Sequence, residues 1–538
     1  MEIAKLLVAN RGEIALRIFR TCRALGVETV AVVAPDDRGS LHARDADEVV
    51  EIAGYLHSEE QIRAAKQSGA DAIHPGYGFL AENGDFAEAV GAAGLAWVGP
   101  SPEALRAGGD KLEAKRIARE AGVPVVETAE PEELGFPLLL KAAAGGGGRG
   151  MRVVRSHDAL ADALEAARRE AAAAFGDDRV FAERYVERPR HVEIQLLGDE
   201  HGTLVALGER ECSIQRRHQK VLEESPSPAL DAALRAEMSA AAVRFGRAVD
   251  YTSAGTAEFM LEGRDFFFLE LNGRIQVEHA VTELVTGVDL VAEQLHIASG
   301  RRVSQGQSLG RGHAVEVRLY AEDPRTFLPQ GGRITRLVLP ESIRVDAGVA
   351  EGDDVALAYD PMLAKLIAQG PTREDALDAL GAALAETVVE GVTTNLPFLR
   401  WLVAHPELRA GRTTTAFLVE HPPLSAPQVR LPAREWRGAW RLNLPAPPPA
   451  APPDVEATAH DRASASGESE LTAPMPGTVI KLLVAAGDRV QARQPLLLLE
   501  AMKMETPVTA PYDAIVRSVN VQEGDRVAGG AVLVELDD

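Results

Sequence analysis

The stretch Leu138-Leu139-Leu140-Lys141-Ala142-Ala143-Ala144, then Gly145 to Gly148, Arg149, Gly150 and Met151-Arg152-Val153-Val154, is an apolar run, a glycine-rich break and a second apolar run. It reads as two strands joined by a flexible loop. A strand lysine beside exposed backbone N–H groups can cradle phosphate. The loop lacks the Gly-Lys-Ser/Thr of a Walker A sequence, so taken alone a plain flexible hairpin is the better reading. A distant acidic cluster shifts the balance. It consists of Thr256-Ala257-Glu258-Phe259 and the run Phe267-Phe268-Leu269-Glu270-Leu271-Asn272-Gly273-Arg274-Ile275-Gln276-Val277-Glu278-His279. Glu258 and Glu270 lie in apolar, strand-like surroundings, where a carboxylate is costly unless it binds something. Two glutamates and an asparagine supply hard oxygen donors of the kind Mg²⁺ takes alongside nucleotide phosphates. Lys141, the glycine loop and these oxygens together point to a metal–nucleotide site.

On the N-terminal side, Lys5 to Ala9, a helical stripe at Ile14, Ile18 and Leu25, and Thr29 to Val33 predict a βαβ start. Its turn, Ala9-Asn10-Arg11-Gly12-Glu13, is not a G-x-G-x-x-G dinucleotide loop. The run Asp71 to His74 leads into Pro75-Gly76-Tyr77-Gly78, a turn at a strand end or a binding loop. Strand-like and helix-like stretches alternate to about residue 420, which predicts α/β and α+β layers. From Pro445 to Pro453 six of nine residues are proline, and Asp454 to Glu470 is small and polar, so a linker is expected. Beyond it, Ala473-Pro474, Val479 and Gly487-Asp488-Arg489-Val490 recur as Ala510-Pro511, Val516 and Gly524-Asp525-Arg526-Val527, an offset of 37. This repeat predicts an all-β sandwich of two similar halves. Glu500-Ala501-Met502-Lys503-Met504-Glu505 lies between them, at an expected hairpin tip.

The chain has 538 residues and a net charge of −23, which argues against nucleic acid or an anionic membrane surface as partner. Only nine basic residues are lysine: Lys5, Lys66, Lys111, Lys115, Lys141, Lys220, Lys365, Lys481 and Lys503. Where arginine is the default cation, a lysine has a raised chance of being needed for its compact ammonium or its amine. Cys22 and Cys212 form neither a disulfide framework nor a zinc spacing. The N-terminus lacks a signal-peptide pattern, and no apolar run is long enough to span a bilayer. A cytoplasmic protein is expected.

Ala-Met-Lys-Met at the symmetric turn of a duplicated β unit resembles the biotinyl domain family, which implies covalent attachment of biotin to Lys503. Residues 1 to about 420 resemble biotin carboxylase, an ATP-grasp enzyme. The resemblance rests on Ala9 to Ala15, His74 to Leu80, Gly109-Asp110-Lys111, Lys141 to Met151, His191-Val192-Glu193-Ile194-Gln195, Arg216-Arg217-His218-Gln219-Lys220 and Glu270 to Glu278, in family order. It implies a Rossmann-like N-terminal domain (1–108), an ATP-grasp domain (109–310) with a lid at about 125–190, and a carboxylase C-terminal domain (311–425). The linker (426–470) and the biotinyl domain (471–538) would follow.

For ATP the resemblance implies Lys111, Lys141, a lid of Gly146, Gly147, Gly148, Gly150 and Met151, an adenine hinge at Glu183, Arg184 and Val186, and contacts from His191, Gln215, His218 and Glu258. For Mg²⁺ (or Mn²⁺) it implies Glu258, Glu270 and Asn272. For bicarbonate and biotin it implies Lys220, Arg274, Gln276, Val277 and Glu193, with Glu278 as base and Arg344 stabilising the biotin enolate. Gly273, Leu271 and Ala280 depart from the family's usual Thr, Met and Pro. The implied activity is ATP-dependent carboxylation of protein-bound biotin through carboxyphosphate, as the alpha subunit of an acetyl-/propionyl-CoA carboxylase. Implied partners are a separate carboxyltransferase (beta) subunit, biotin protein ligase and a second copy bound through the carboxylase unit. A carboxylase with pyruvate or urea as acceptor, and an inactive biotin-carrying scaffold, are the rival readings.

Overall fold

The computed structural model describes residues 2–144, 151–216, 219–304, 312–424, 470–473, 477–501, 504–527 and 530–537. The expectations for Gly146, Gly147, Gly148, Gly150, His218, Lys503 and nearly all of the linker lie outside the described residues. The chain forms two compact units, Met1–Ser425 and Ala426–Asp538.

In the first unit, Lys5–Val8 is the centre of a five-stranded parallel sheet ordered Glu48–Glu51, Glu28–Val33, Lys5–Val8, Ala72–His74, Ala96–Trp97. The helix Gly12–Leu25 returns across it and ends at Gly26, whose φ of 73° suits glycine. Ile14 and Ile18 are buried as the stripe requires. Leu25 corrects that reading: it is the last helical residue, at the edge of the packed face, and is 43% exposed, while Cys22 completes the buried stripe.

The body of the unit is an eight-stranded antiparallel sheet. Its order is Asp265–Asn272, Ser253–Glu262, Arg190–Gly198, Leu204–Arg216, Gln219–Ser225, His313–Tyr320, Met362–Gly370, Arg344–Ala347. It runs without a break from the ATP-grasp segment into the C-terminal segment, so groups far apart in sequence share one face. Leu138–Ala142 pairs with Arg152–Val154 and Val180–Arg184 in a separate three-stranded sheet, with Leu138 opposite Val154. The two strands read on either side of the glycine loop are therefore antiparallel partners.

The second unit contains two four-stranded sheets. Its repeat is exact at the level of hydrogen bonds. Gly487 donates to Val516 O and Gly524 to Val479 O, both at 2.7 Å, and Val516 and Val479 donate back to Asp488 and Asp525 at 2.9 Å. Both glycines have φ near +95° (94° and 95°), a region closed to most residues. Pro495–Ala501 and Met504–Thr509 form the central hairpin, with Ala501 opposite Met504.

Candidate active site

The site starts from strand register. Glu258 is directly opposite Glu270, and Thr256 opposite Asn272, so Glu258, Glu270 and Asn272 fall on one face of the pair Ser253–Glu262 and Asp265–Asn272. The intervening Ala257 and Phe259 point into the apolar core. Two carboxylates directly across a ladder repel each other, and a hard cation relieves that repulsion, so the donor set fits Mg²⁺. Glu258 is buried, and Asn272 Nδ2 and Gln276 Nε2 donate to its Oε1 at 2.9 and 2.8 Å. His191 Nε2 lies 2.8 Å from its Oε2, and Gln215 Nε2 meets His191 Nδ1 at 2.7 Å. Burial opposes ionisation of Glu258, yet Lys220 and His191 outweigh it and hold the carboxyl well below its ordinary range.

Lys220 is brought opposite Gln215 by the antiparallel pairing of its strand with Leu204–Arg216. Its ammonium meets three carboxylates: Glu193 at 2.5 Å, Glu278 at 2.6 Å and Glu258 at 2.8 Å. Burial alone would lower its pKa, but these three anions raise it well above the ordinary lysine value. The other oxygen of Glu278 accepts from Arg318 Nη2 at 2.9 Å, and Arg318 also holds Glu223 at 2.5 Å. Glu278 is thus clamped between two cations that overcome its burial and keep it ionised.

Lysines form a second charged cluster. Asp110 caps the helix Lys111–Glu120 by accepting from Leu112 and Glu113 N–H, which sets Lys111 at the helix start. Lys111 lies 3.8 Å from Glu270, and Lys141 lies 2.8 Å from Glu183. Burial first, then the Lys111 charge, pushes Lys141 down to about 8. Clustered, partly desolvated ammoniums are a site for a polyanion. Glu183 is fully buried, with Lys115 on its other oxygen; its strand ends at Arg184, and Val186, two residues beyond, is buried. Met151 is half-buried just before Arg152–Val154.

Arg274 reaches Asn272 Oδ1 at 2.8 Å and Glu82 at 3.0 Å, and Glu82 also accepts from the Gly273 N–H. A Cβ at Gly273 would come within 2.7 Å of Leu105 Cδ2, so Leu105 occupies the space that the family's usual threonine would use. Gln276, Val277 and Glu278 follow on the turn into the helix His279–Thr286. Arg344 sits between Glu283 at 2.8 Å and Asp346 at 2.7 Å. Glu193 is fully buried behind Lys220, paired also with Arg210 at 2.5 Å.

Comparison with known proteins meets this geometry from outside. Models of the biotin carboxylase N-terminal domain, the carbamoyl-phosphate synthase L chain ATP-binding domain and the biotin carboxylase C-terminal domain match residues 2–105, 110–306 and 316–420. A model described as biotin-requiring enzyme matches residues 469–536. The chain belongs to the biotin carboxylase family. It is 41% identical over 592 aligned positions to the biotin-dependent acyl-coenzyme A carboxylase alpha3 subunit of Mycobacterium leprae, covering 99% of both chains. It is 45% identical to the propionyl-CoA carboxylase alpha chain of Ruegeria pomeroyi, over 80% of this chain and 70% of the relative. The biotin carboxylase domain of Hydrogenobacter thermophilus 2-oxoglutarate carboxylase, solved with MgADP, ADP and bicarbonate, superposes with a TM-score of 0.77 at 40% identity. That match covers 78% of this chain and 98% of the domain.

This biotin carboxylase is an ATP-dependent ligase that carboxylates biotin with bicarbonate, and it carries a biotinyl domain in the same chain. The matched models describe an ATP-binding domain and a biotin-requiring domain in this one chain, and the Hydrogenobacter domain binds MgADP and bicarbonate. Among the described residues no helix is long and apolar enough to cross a membrane. Four residues of the site have no local sequence motif that singles them out. Arg318 and Glu82 are partners of Glu278 and Arg274. Lys115 was one of the nine scarce lysines, and its count was the only hint. Arg210, wholly buried, donates to Glu193, Gln195, Thr282, Thr256 and Gln276, tying four elements together.

Proposed function

We propose that this chain is the carboxylase and carrier subunit of an acyl-CoA carboxylase of the acetyl-/propionyl-CoA class. Its carboxyltransferase would be a separate subunit, and the chain would act in the cytoplasm as a homo-oligomer modified by a biotin protein ligase. The observation that carries the carboxylation chemistry is the Lys220 ammonium within 2.5–2.8 Å of Glu193, Glu258 and Glu278. The acyl-CoA acceptor is supported by the end-to-end match with an acyl-coenzyme A carboxylase alpha subunit.

Bicarbonate is a weak, anionic nucleophile, so attack on the γ-phosphate needs cations at the nucleophile and a base for its proton. Lys220, Arg274, Gln276 and the Val277 peptide are assigned to bicarbonate, and Glu278 to the proton. In the free protein Lys220 and Arg318 hold Glu278 far below its ordinary pKa, a poor state for a base. A bicarbonate anion that engages Lys220 and Arg274 weakens that hold and adds negative charge beside Glu278, so basicity rises when substrate is present. Lys111 and Lys141 neutralise charge on the transferring phosphoryl group. Glu258, Glu270 and Asn272 would hold Mg²⁺, which would supply further charge neutralisation on the polyphosphate. Carboxyphosphate then releases CO₂. The phosphate left by that cleavage takes the N1′ proton as the CO₂ is captured at the ureido nitrogen of biotin, which Lys503 would carry, and Arg344 is assigned to the biotin end of the site.

The test is capture of the full chain through its biotin, followed by carboxylation assays on the co-purified transferase across acyl-CoA chain lengths. Transfer to acetyl- or propionyl-CoA is expected, and it should vanish in Lys503→Arg along with the streptavidin signal. Transfer to pyruvate or urea instead would overturn the acceptor assignment.

A further inference from the structure

Two sequence motifs, Ala9 to Ala15 and His74 to Leu80, have no part in the chemistry described above. The structure joins them. Asn10 Nδ2 donates to Pro75 O and Tyr77 O, both at 2.7 Å, and Tyr77 Oη donates to Glu13 Oε2 at 2.7 Å. Glu13 Oε1 lies 3.0 Å from the ammonium of Lys365, a lysine with no solvent exposure on the strand Met362–Gly370. Lys365 Nζ in turn donates to the carbonyl of Val277 at 2.7 Å. Asp346, the partner of Arg344, lies 3.8 Å from the same ammonium. A Cβ on Gly348 would come within 2.7 Å of Glu13 N, so the C-terminal segment packs directly on the helix start that carries Glu13.

A buried lysine is expensive, and a carboxylate pair would satisfy it without a backbone partner. Here one of its donors makes a charge-assisted bond to the carbonyl of the peptide that links Val277 to Glu278. That bond holds the peptide plane from which the Glu278 side chain springs. The preceding carbonyl, of Gln276, is held by the His279 ring at 2.7 Å, so both peptides before the helix are pinned.

We infer that Lys365, oriented by Glu13 and Tyr77, is a positioning residue that fixes the Val277–Glu278 peptide of the bicarbonate pocket. The parallel-sheet segment of the first unit thereby acts on the base through the chain Tyr77, Glu13 and Lys365 without touching substrate. The inference rests on the assignment of Glu278 as base.

The test uses the full-length biotinylated chain and the variants Tyr77→Phe, Glu13→Gln, Lys365→Met and Lys365→Arg, with Glu278→Gln in parallel. Bicarbonate-dependent ADP formation is measured at varied bicarbonate and varied ATP. A misplaced reacting group costs about 10²-fold per ångström, so Lys365→Met should lose about that much in kcat/KM for bicarbonate while KM for ATP stays within about twofold. Tyr77→Phe and Glu13→Gln should show the same split at smaller size, and Lys365→Arg should recover part of it. Tyr77→Phe keeps the ring and the buried ion pair, so it remains informative if Lys365→Met does not fold. Folded Tyr77→Phe and Glu13→Gln proteins with unchanged bicarbonate kinetics, or with equal loss towards ATP and bicarbonate, would overturn the inference. If Glu278→Gln itself keeps bicarbonate-dependent ADP formation, the base assignment fails first. If Glu278→Gln is inactive and the other variants behave as wild type, only the positioning role fails.

Discussion

Glu278→Gln exchanges an anion for a neutral amide of nearly the same volume. The cations it leaves are not stranded: Lys220 keeps Glu193 at 2.5 Å and Glu258 at 2.8 Å, and Arg318 keeps Glu223 at 2.5 Å. The fold should therefore lose only on the order of 1 kcal/mol, the net worth of one ordinary hydrogen bond. Chemistry should lose far more. A positioned general base contributes about 10²–10⁴-fold, which at about 1.36 kcal/mol per tenfold is roughly 2.7–5.4 kcal/mol of barrier. Glu223 provides an internal check. Burial, with Glu278 as a nearby like charge, raises it to about 7 despite Arg318. A carboxyl raised on folding binds more protons in the native state, so it removes stability as pH climbs from its unfolded value near 4.5 to about 7. Neutralising Glu278 lowers Glu223 and should flatten that fall. The assay is ADP release with and without bicarbonate, alongside denaturation at several pH values. KM for ATP should be unchanged, since Lys111 and Lys141 belong to a separate cluster. A folded Glu278→Gln enzyme that keeps bicarbonate-dependent turnover within about tenfold of wild type, short of the minimum expected of a base, refutes the assignment.

Lys141, brought down to about 8 by burial and Lys111, should regain its proton when polyphosphate binds. ATP affinity is then full below that pH and is lost above it, so KM for ATP should rise about tenfold per pH unit beyond about 8, and a flat profile would remove the charge role. Arg210→Lys keeps the charge, but three ammonium donors cannot serve five acceptors, leaving two buried oxygens unsatisfied at about 1–3 kcal/mol each; a total loss of about 2–6 kcal/mol by denaturation is expected. In the second unit, among the described residues, no atom beyond the chain neighbours lies within 4 Å of a Cβ added at Gly487 or Gly524, so alanine there is penalised by backbone conformation. Each substitution should cost about 1–2 kcal/mol, read as faster hydrogen exchange in the second unit of the full chain.

The repeat at an offset of 37 was legible because each half is built from local signals, a Gly-Asp turn and alternating strands, and the structure returns the same hydrogen bonds in both halves. The shared face of Glu270 and Asn272 was legible for a similar reason. Glu270 and Asn272 are two apart on a strand, and period two puts them on one side. Leu25 was misread because a helical stripe says which side of a helix is apolar, not where the packed face ends.

By itself the sequence determined the set of chemical groups: lysines near a glycine loop, paired glutamates, and a lysine at the turn of a duplicated sandwich. Those follow from short-range backbone geometry, which spacing encodes. Only the tertiary structure decided which cation faces which anion. Lys220 meets Glu193, Glu258 and Glu278, Arg318 clamps Glu278, and Lys365 links Glu13 to Val277. These partners come from strands separated by up to hundreds of residues, and their pairing is set by sheet order and by the high cost of burying a charge alone, neither of which any local stretch records.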